Sequence, residues 1–144
     1  FDNKVPNIDK ICFENKLASL SVITVNDYIK NLNNYKLDLA ANNILNFAIN
    51  TNLYLNDKQP WILIKDETKI AIVEEIIYNV LESTRIIGLL LIPILPELSS
   101  KIDEQLGSIY KNDNPWSEQL KWGRLKTNTQ LPKPKPIIEK LEYE

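Results

Sequence analysis

The residue types that could break or form bonds are scarce in this chain. Histidine, the commonest general base and a favoured metal ligand, is absent. Cysteine occurs once, as Cys12. Neither a Cys/His zinc site nor a Ser-His or Cys-His nucleophile can be assembled from these residues. Carboxylates are plentiful and leave carboxylate chemistry formally open. The three glycines, Gly88, Gly107 and Gly123, are too scattered for a phosphate-cradling loop. The side chains left with chemical reach are tryptophans and cations, whose chemistry is recognition. The reading is of a non-catalytic chain.

Composition narrows what could be recognised. A net charge of −2 argues against a strong, sequence-independent polyanion binder. It leaves room for a module that reads a few unstacked bases from a local basic patch. A single cysteine forms no intrachain disulfide, which fits a reducing, cytoplasmic setting. The longest apolar run, residues 86–95, is interrupted by Gly88 and Pro93 and falls short of the roughly 20 residues that span a bilayer. No membrane span is expected. The chain opens at Phe1 and contains no methionine, so sequence upstream is expected.

The elements that must position these residues read as helices. In residues 8–32, Ile11, Ala18, Val22, Val25, Ile29 and Leu32 recur at three- and four-residue steps, with Asn15 filling one step. Asp9 suits the start of that helix, and Asn31, Asn33 and Asn34 mark its exit. Residues 35–56 form a second amphipathic helix, with Leu37, Ala41, Ile44, Ala48, Thr51 and Leu55 as its inner row and Ala40, Phe47 and Tyr54 beside it. Gln59-Pro60 ends it, because the residue before proline is driven out of helical geometry. A third helix covers 67–91. Ile70, Val73, Ile77, Val80, Thr84, Ile87 and Leu91 form one row, and Ile72, Ile76, Ile86 and Leu90 form a second apolar face. A helix so widely apolar belongs at the centre of a bundle. Pro93 and Pro96 break the chain, and residues 97–106 form a fourth helix stopped by Gly107. Residues 108–144 carry Pro115, Pro132, Pro134 and Pro136 and show no sustained period; 131–136 should be extended, near polyproline II. The fold class is therefore all-α: a bundle of about four helices over 1–107, truncated at its N-terminus, with an irregular, Pro-rich tail of 108–144 packing on it.

A family resemblance emerges at the end of the second helix. Asn52-Leu53-Tyr54 followed by Pro60-Trp61-Ile62-Leu63-Ile64-Lys65 resembles the N-x-Y…P-W-x-L-x-K signature of methionine–tRNA ligases, which are class I aminoacyl-tRNA synthetases. Leu81-Glu82-Ser83-Thr84-Arg85 is similar to the family's L-E-x-x-R. Leu90-Leu91-Ile92-Pro93-Ile94-Leu95-Pro96 resembles its L-L-x-P-x-x-P, and Gln105-Leu106-Gly107 its Q-L-G. Trp122-Gly123-Arg124-Leu125 and residues 134–142 resemble the closing W-G-x-L and P-x-P-[LI]-F-x-[RK]-[IL]-E, with Ile138 where phenylalanine is usual. Each piece is weak alone, but the six stand in order over almost the whole chain. The resemblance implies the C-terminal anticodon-binding domain, with tRNA(Met) as partner through its anticodon stem-loop. It implies a parent enzyme that uses ATP and methionine as substrates, and no cofactor in this region. The family's catalytic half and an upstream helix bearing an Asn and an Arg that contact the anticodon are not in these residues.

Candidate site residues follow from that resemblance. It places Pro60 and Trp61 at the anticodon: Pro60 stiffens the backbone and Trp61 offers a rigid face to an unstacked base. Without the resemblance, Trp61 reads more readily as a core aromatic. Asn52 lies near the apolar row of the second helix, where an unbonded amide is costly. It either supports the Pro60-Trp61 loop, the favoured reading, or touches the anticodon loop. Tyr54 reads as packing. Lys58 and Lys65 are candidate backbone contacts, against the ordinary reading of solvated lysines. Arg85 reads as a buried bidentate link to a carboxylate or a helix-end carbonyl. Lys121, Arg124 and Lys126 around Trp122 read as surface charge unless the fold brings them beside Trp61, and Cys12 reads as a small hydrophobe. The competing readings are an anticodon-binding domain of another class I aminoacyl-tRNA synthetase and a helical protein-interaction module.

Overall fold

The computed structural model describes residues 3–8, 15–110 and 115–133. The expectations resting on Asp9, Ile11, Cys12, Pro134, Pro136 and Ile138 lie outside them. Four longer helices, α1 (Lys16–Asn33), α2 (Leu37–Lys58), α4 (Ile70–Leu91) and α5 (Pro96–Gln105), are joined by the short helices α3 (Pro60–Leu63) and α6 (Trp116–Gln119). A 3-10 turn, Glu67–Lys69, leads into α4.

Helix α1 begins later than its periodicity suggests. Asn15 is not a member of the helical stripe: it is the N-cap, and its side-chain oxygen accepts the Ala18 amide at 2.8 Å. The buried face is Leu17, Ala18, Ser21, Thr24 and Tyr28, while Val22 is 57% exposed. Small and hydroxyl-bearing residues thus take much of the inner row, and their polar atoms find partners there. Ser21 donates to the Ala18 carbonyl at 2.7 Å and Tyr28 to the Leu90 carbonyl at 2.6 Å.

The inner face of α2 is Ala40, Ile44, Phe47, Thr51 and Tyr54. Of the expected row, Ile44 and Thr51 are buried, but Leu37 and Ala41 are exposed. The face is rotated toward the residues expected only to widen it. Leu45, Ile49 and Leu53 lie outward at four-residue spacing, each about half exposed.

Helix α4 is the central element, touching all five of the other helices among the described residues. Its buried side includes Val73, Ile76, Ile86, Leu89 and Leu90, as its apolar breadth implies. Ile72, placed on its second apolar face, is instead 51% exposed. Four polar side chains are buried on the same helix: Asn79, Glu82, Ser83 and Arg85.

The Glu82–Arg85 pair anchors the C-terminal segment. Arg85 Nε and Nη2 donate to the two Glu82 oxygens at 2.8 and 2.6 Å. Arg85 also donates to the Gln119 carbonyl, and to the Lys121 carbonyl at 2.8 Å. Glu82 in turn accepts the amides of Gly123, Arg124 and Leu125 at 2.8, 3.0 and 3.1 Å. The expected bidentate role of Arg85 is realised with both kinds of partner. The segment so held buries Leu120, Trp122 and Leu125. It also pairs with the N-terminal residues, through Val5 N–H to the Thr129 carbonyl at 2.9 Å and Leu131 N–H to the Asn3 carbonyl at 2.6 Å.

Two glycines permit close approaches. Gly107 (φ +93°) closes α5: its N–H reaches the Glu104 carbonyl at 3.2 Å, and the Ser108 N–H reaches the Asp103 carbonyl at 2.7 Å. That pair of bonds is a Schellman motif, and Gly107 is the expected C-terminal stop. Gly88 lies where α4 meets α5. A Cβ there would sit 2.0 Å from the Tyr110 hydroxyl and 2.8 Å from Ile102 Cγ2. Burial pushes the phenols of Tyr28, Tyr78 and Tyr110 above their ordinary range, Tyr28 to about 12. All three therefore stay protonated at neutral pH and donate to the Leu90, Leu125 and Arg85 carbonyls.

Two outcomes follow for stability. Glu82→Ala leaves Arg85 charged and buried, and is expected to lower the unfolding free energy by about 3–5 kcal/mol in urea titration. Gly88→Ala is expected to cost about 1–3 kcal/mol by overpacking. Adding Tyr110→Phe, which removes the nearest clashing atom, should recover part of that loss in the same titration.

Candidate nucleic-acid interface

The junction between α2 and α3 is built by two residues of opposite habit. Gln59 closes α2 in the left-handed conformation (φ 48°, ψ 58°), its N–H still bonded to the Leu55 carbonyl at 3.1 Å. Pro60 then opens α3 at its first position, where its missing N–H costs nothing. The chain turns sharply between two helices with no loop in between. Pro60 is buried and Leu63 packs against the core. These two hold the short α3 down, and its other side faces solvent.

That outer side is apolar. Trp61 is 50% exposed, Ile62 51% and Ile64 48%. The reading of Trp61 as a core aromatic is therefore overturned. Its ring cannot be buried because Pro60 and Leu63 already occupy the inward positions of a one-turn helix. Asn52 is exposed as well, so no buried amide needs bonding there, and the cost that suggested a supporting role does not arise. Asn52 shares the outward side of α2 with Leu53. Ile62 and Ile64, which extend the apolar surface beside Trp61, carry no signal of their own in the sequence. Their pattern resembles that of any core-bound isoleucine, and only the orientation of α3 turns them outward.

Tyr54 is buried, as its packing role requires, and its hydroxyl accepts from Asn79 Nδ2 at 3.1 Å. Lys58 lies over the Tyr54 ring, 5.8 Å from its centroid. Lys58 and Lys65 are both exposed. The surroundings are not strongly basic. Residues 57–69 hold Lys58, Lys65 and Lys69 against Asp57, Asp66 and Glu67. Asp66 caps the 3-10 turn, accepting from the Thr68 hydroxyl at 2.6 Å and amide at 3.0 Å, with Lys69 at 3.7 Å. The Thr68 hydrogen bonds chiefly, with help from Lys69, hold its carboxyl below the usual range.

The basic group near Trp122 is engaged elsewhere. Lys121 and Arg124 pair with Glu118 at 2.8 and 3.5 Å, and Trp122 is buried. The Lys121 carbonyl is fixed to Arg85, which is about 22 Å along α4 from Ile70 at 1.5 Å per residue. Trp61 belongs to the opposite, N-terminal end of α4, next to the 3-10 turn. Lys121 and Arg124 keep the ordinary reading of surface charge.

Fold and site together define a class: among the described residues, a helical domain that carries a half-exposed tryptophan at a helix junction. Among the described residues, no group of three His, Cys, Asp or Glu side chains is placed to hold a metal, and no helix is long and apolar enough to cross a membrane. The family model for the anticodon binding domain of methionyl tRNA ligase matches residues 7–144. Methionine–tRNA ligase of Bacillus subtilis is 32% identical over 132 residues, covering 92% of this chain and 20% of the relative. That of Synechocystis is 41% identical over 101 residues, covering 63% of this chain and 19% of the relative. The crystal structure of apo methionyl-tRNA synthetase from Mycobacterium tuberculosis superposes with a TM-score of 0.85 at 26% identity, over 99% of this chain and 29% of that one. The chain belongs to the family of methionyl tRNA ligase anticodon-binding domains, and it spans about a fifth of the length of the curated relatives it matches.

The junction geometry is open to direct measurement. Gln59 holds a left-handed backbone that costs a non-glycine residue roughly 1–2 kcal/mol. Gln59→Gly is therefore expected to raise the thermal midpoint, and Gln59→Val to lower it, by calorimetry.

Proposed function

We propose that this chain holds the CAU anticodon of tRNA(Met), with Trp61 as the stacking platform, while the rest of a methionine–tRNA ligase does the chemistry. The observation that carries this reading is a half-exposed tryptophan on a one-turn helix pinned from beneath by Pro60 and Leu63. A ring so held gives up little freedom on binding, which is the quality a stacking platform needs. Asn52, exposed on α2 about two turns before Gln59, supplies an amide that hydrogen-bonds a splayed base edge. Lys58 and Lys65 meet the phosphates on either side. Because lysines and carboxylates balance around Trp61, stacking carries more of the affinity than counterion release, and the salt dependence is shallow. On this reading the helices of residues 16–105 form the bundle that bears the reader, and residues 115–133 are the segment laid over it.

On this reading the parent enzyme joins methionine to tRNA with ATP, in the cytoplasm, and this region needs no cofactor. The missing catalytic domain is its partner in cis. In the full-length ligase, Trp61→Ala is expected to reduce kcat/KM for tRNA methionylation by about 10- to 100-fold, the stacking contribution of one base. Methionine-dependent pyrophosphate exchange should stay near the parent value. Equal loss of both activities, or indifference to replacing the CAU anticodon, would sink the assignment.

A further inference from the structure

A line of polar side chains, the half-buried Asn15 and the buried Asn79 and Tyr54, joins α1, α4 and the last turns of α2. Asn79, in the middle of α4 and 1% exposed, donates from Nδ2 to the Tyr54 hydroxyl at 3.1 Å. Its own carbonyl oxygen faces Asn15 Nδ2 at 3.5 Å, and Asn15 is the N-cap of α1. The line therefore touches the start of α1, the middle of α4 and the last turns of α2. Tyr54 stands one turn before Lys58 and five residues before Gln59, where the chain turns toward Trp61.

We infer that Asn79 and Tyr54 are positioning residues for the anticodon site: their hydrogen bond sets the rotation and register of the end of α2 against α4, and so the direction in which Trp61 points. The inference rests on the reading of Trp61 as a base platform. The physical reason is directionality. Apolar side chains pack acceptably over a range of helix rotations, whereas a buried amide–phenol bond is satisfied at one. Buried polar residues that specify register do so at some cost in stability. At this point an apolar pair would serve the core nearly as well, because replacing both partners of a buried hydrogen bond by apolar groups is close to neutral, and the amide of Asn15, only half-buried, keeps access to water.

That difference separates positioning from support. The test uses the whole chain carrying Tyr54→Phe together with Asn79→Leu, and an RNA hairpin bearing a CAU loop. Three quantities are read: the urea midpoint, the Trp61 indole N–H resonance (identified by its loss in Trp61→Phe), and hairpin affinity. The expected result is a midpoint unchanged or raised, a broadened or split Trp61 resonance, and affinity about tenfold weaker, a part of the stacking contribution. A native Trp61 resonance in a folded double variant overturns the inference. Should the double variant fail to fold, Tyr54→Phe alone, which keeps the ring, decides between the same two outcomes through the same resonance. If the native chain fails to bind the hairpin while the variant resonance still splits, the anticodon reading fails and the positioning role stands.

Discussion

One buried ion pair, Glu82 with Arg85, links the two halves of this molecule. The two residues are almost wholly hidden, at 0% and 3% exposure. Burial on that scale is costly unless every lone pair and proton finds a partner. Here the partners come from the backbone of the C-terminal segment. Three consecutive amides, Gly123 to Leu125, point at one carboxylate, and two carbonyls, Gln119 and Lys121, receive the guanidinium. A segment with little regular structure of its own thereby gains the backbone bonding that a helix would have supplied. It then buries Leu120, Trp122 and Leu125, and pairs with the N-terminal residues.

The same central helix organises the opposite end by different means. Helix α4 meets the short α3 and, from its middle, reaches the last turns of α2 through Asn79 and Tyr54. The junction has no loop, because a left-handed Gln59 and a helix-opening Pro60 change the chain direction within two residues. The consequence is an apolar surface of Trp61, Ile62 and Ile64 on a stiff support. The charge along residues 57–69 is balanced, three lysines against three carboxylates.

Part of the candidate site is legible in the sequence: the Pro60-Trp61 pair stands out by its motif, and Tyr54 and Arg85 take the packing and bridging roles their types suggest. Other features were not legible. Glu82 looked like one residue of a motif, because nothing in its neighbours reveals that three amides more than forty residues away converge on it. Asn52 looked semi-buried because the inner face of α2 was placed some degrees away from where it lies. Asn79 passed unnoticed because its partners come from two other elements, the end of α2 and the cap of α1.

By itself, the sequence determined the class of structure and the approximate ends of α2, α4 and α5. Helical periodicity, the prolines and Gly107 are local signals, read by the backbone within a turn or two. The lack of histidine likewise removed most catalytic arrangements without any structure. Tertiary structure alone decided which way each helix faces. Leu37, Ile72 and Val22 match the period of buried rows and yet are exposed, while Ser21, Thr24 and Asn79 are buried. The reason is that periodicity defines a stripe only to within its own width. The rotation within it is settled by where polar atoms can be satisfied: Tyr28 at the Leu90 carbonyl, Asn79 at Tyr54, Glu82 at the returning chain. The outward face of Trp61 is one product of that settlement.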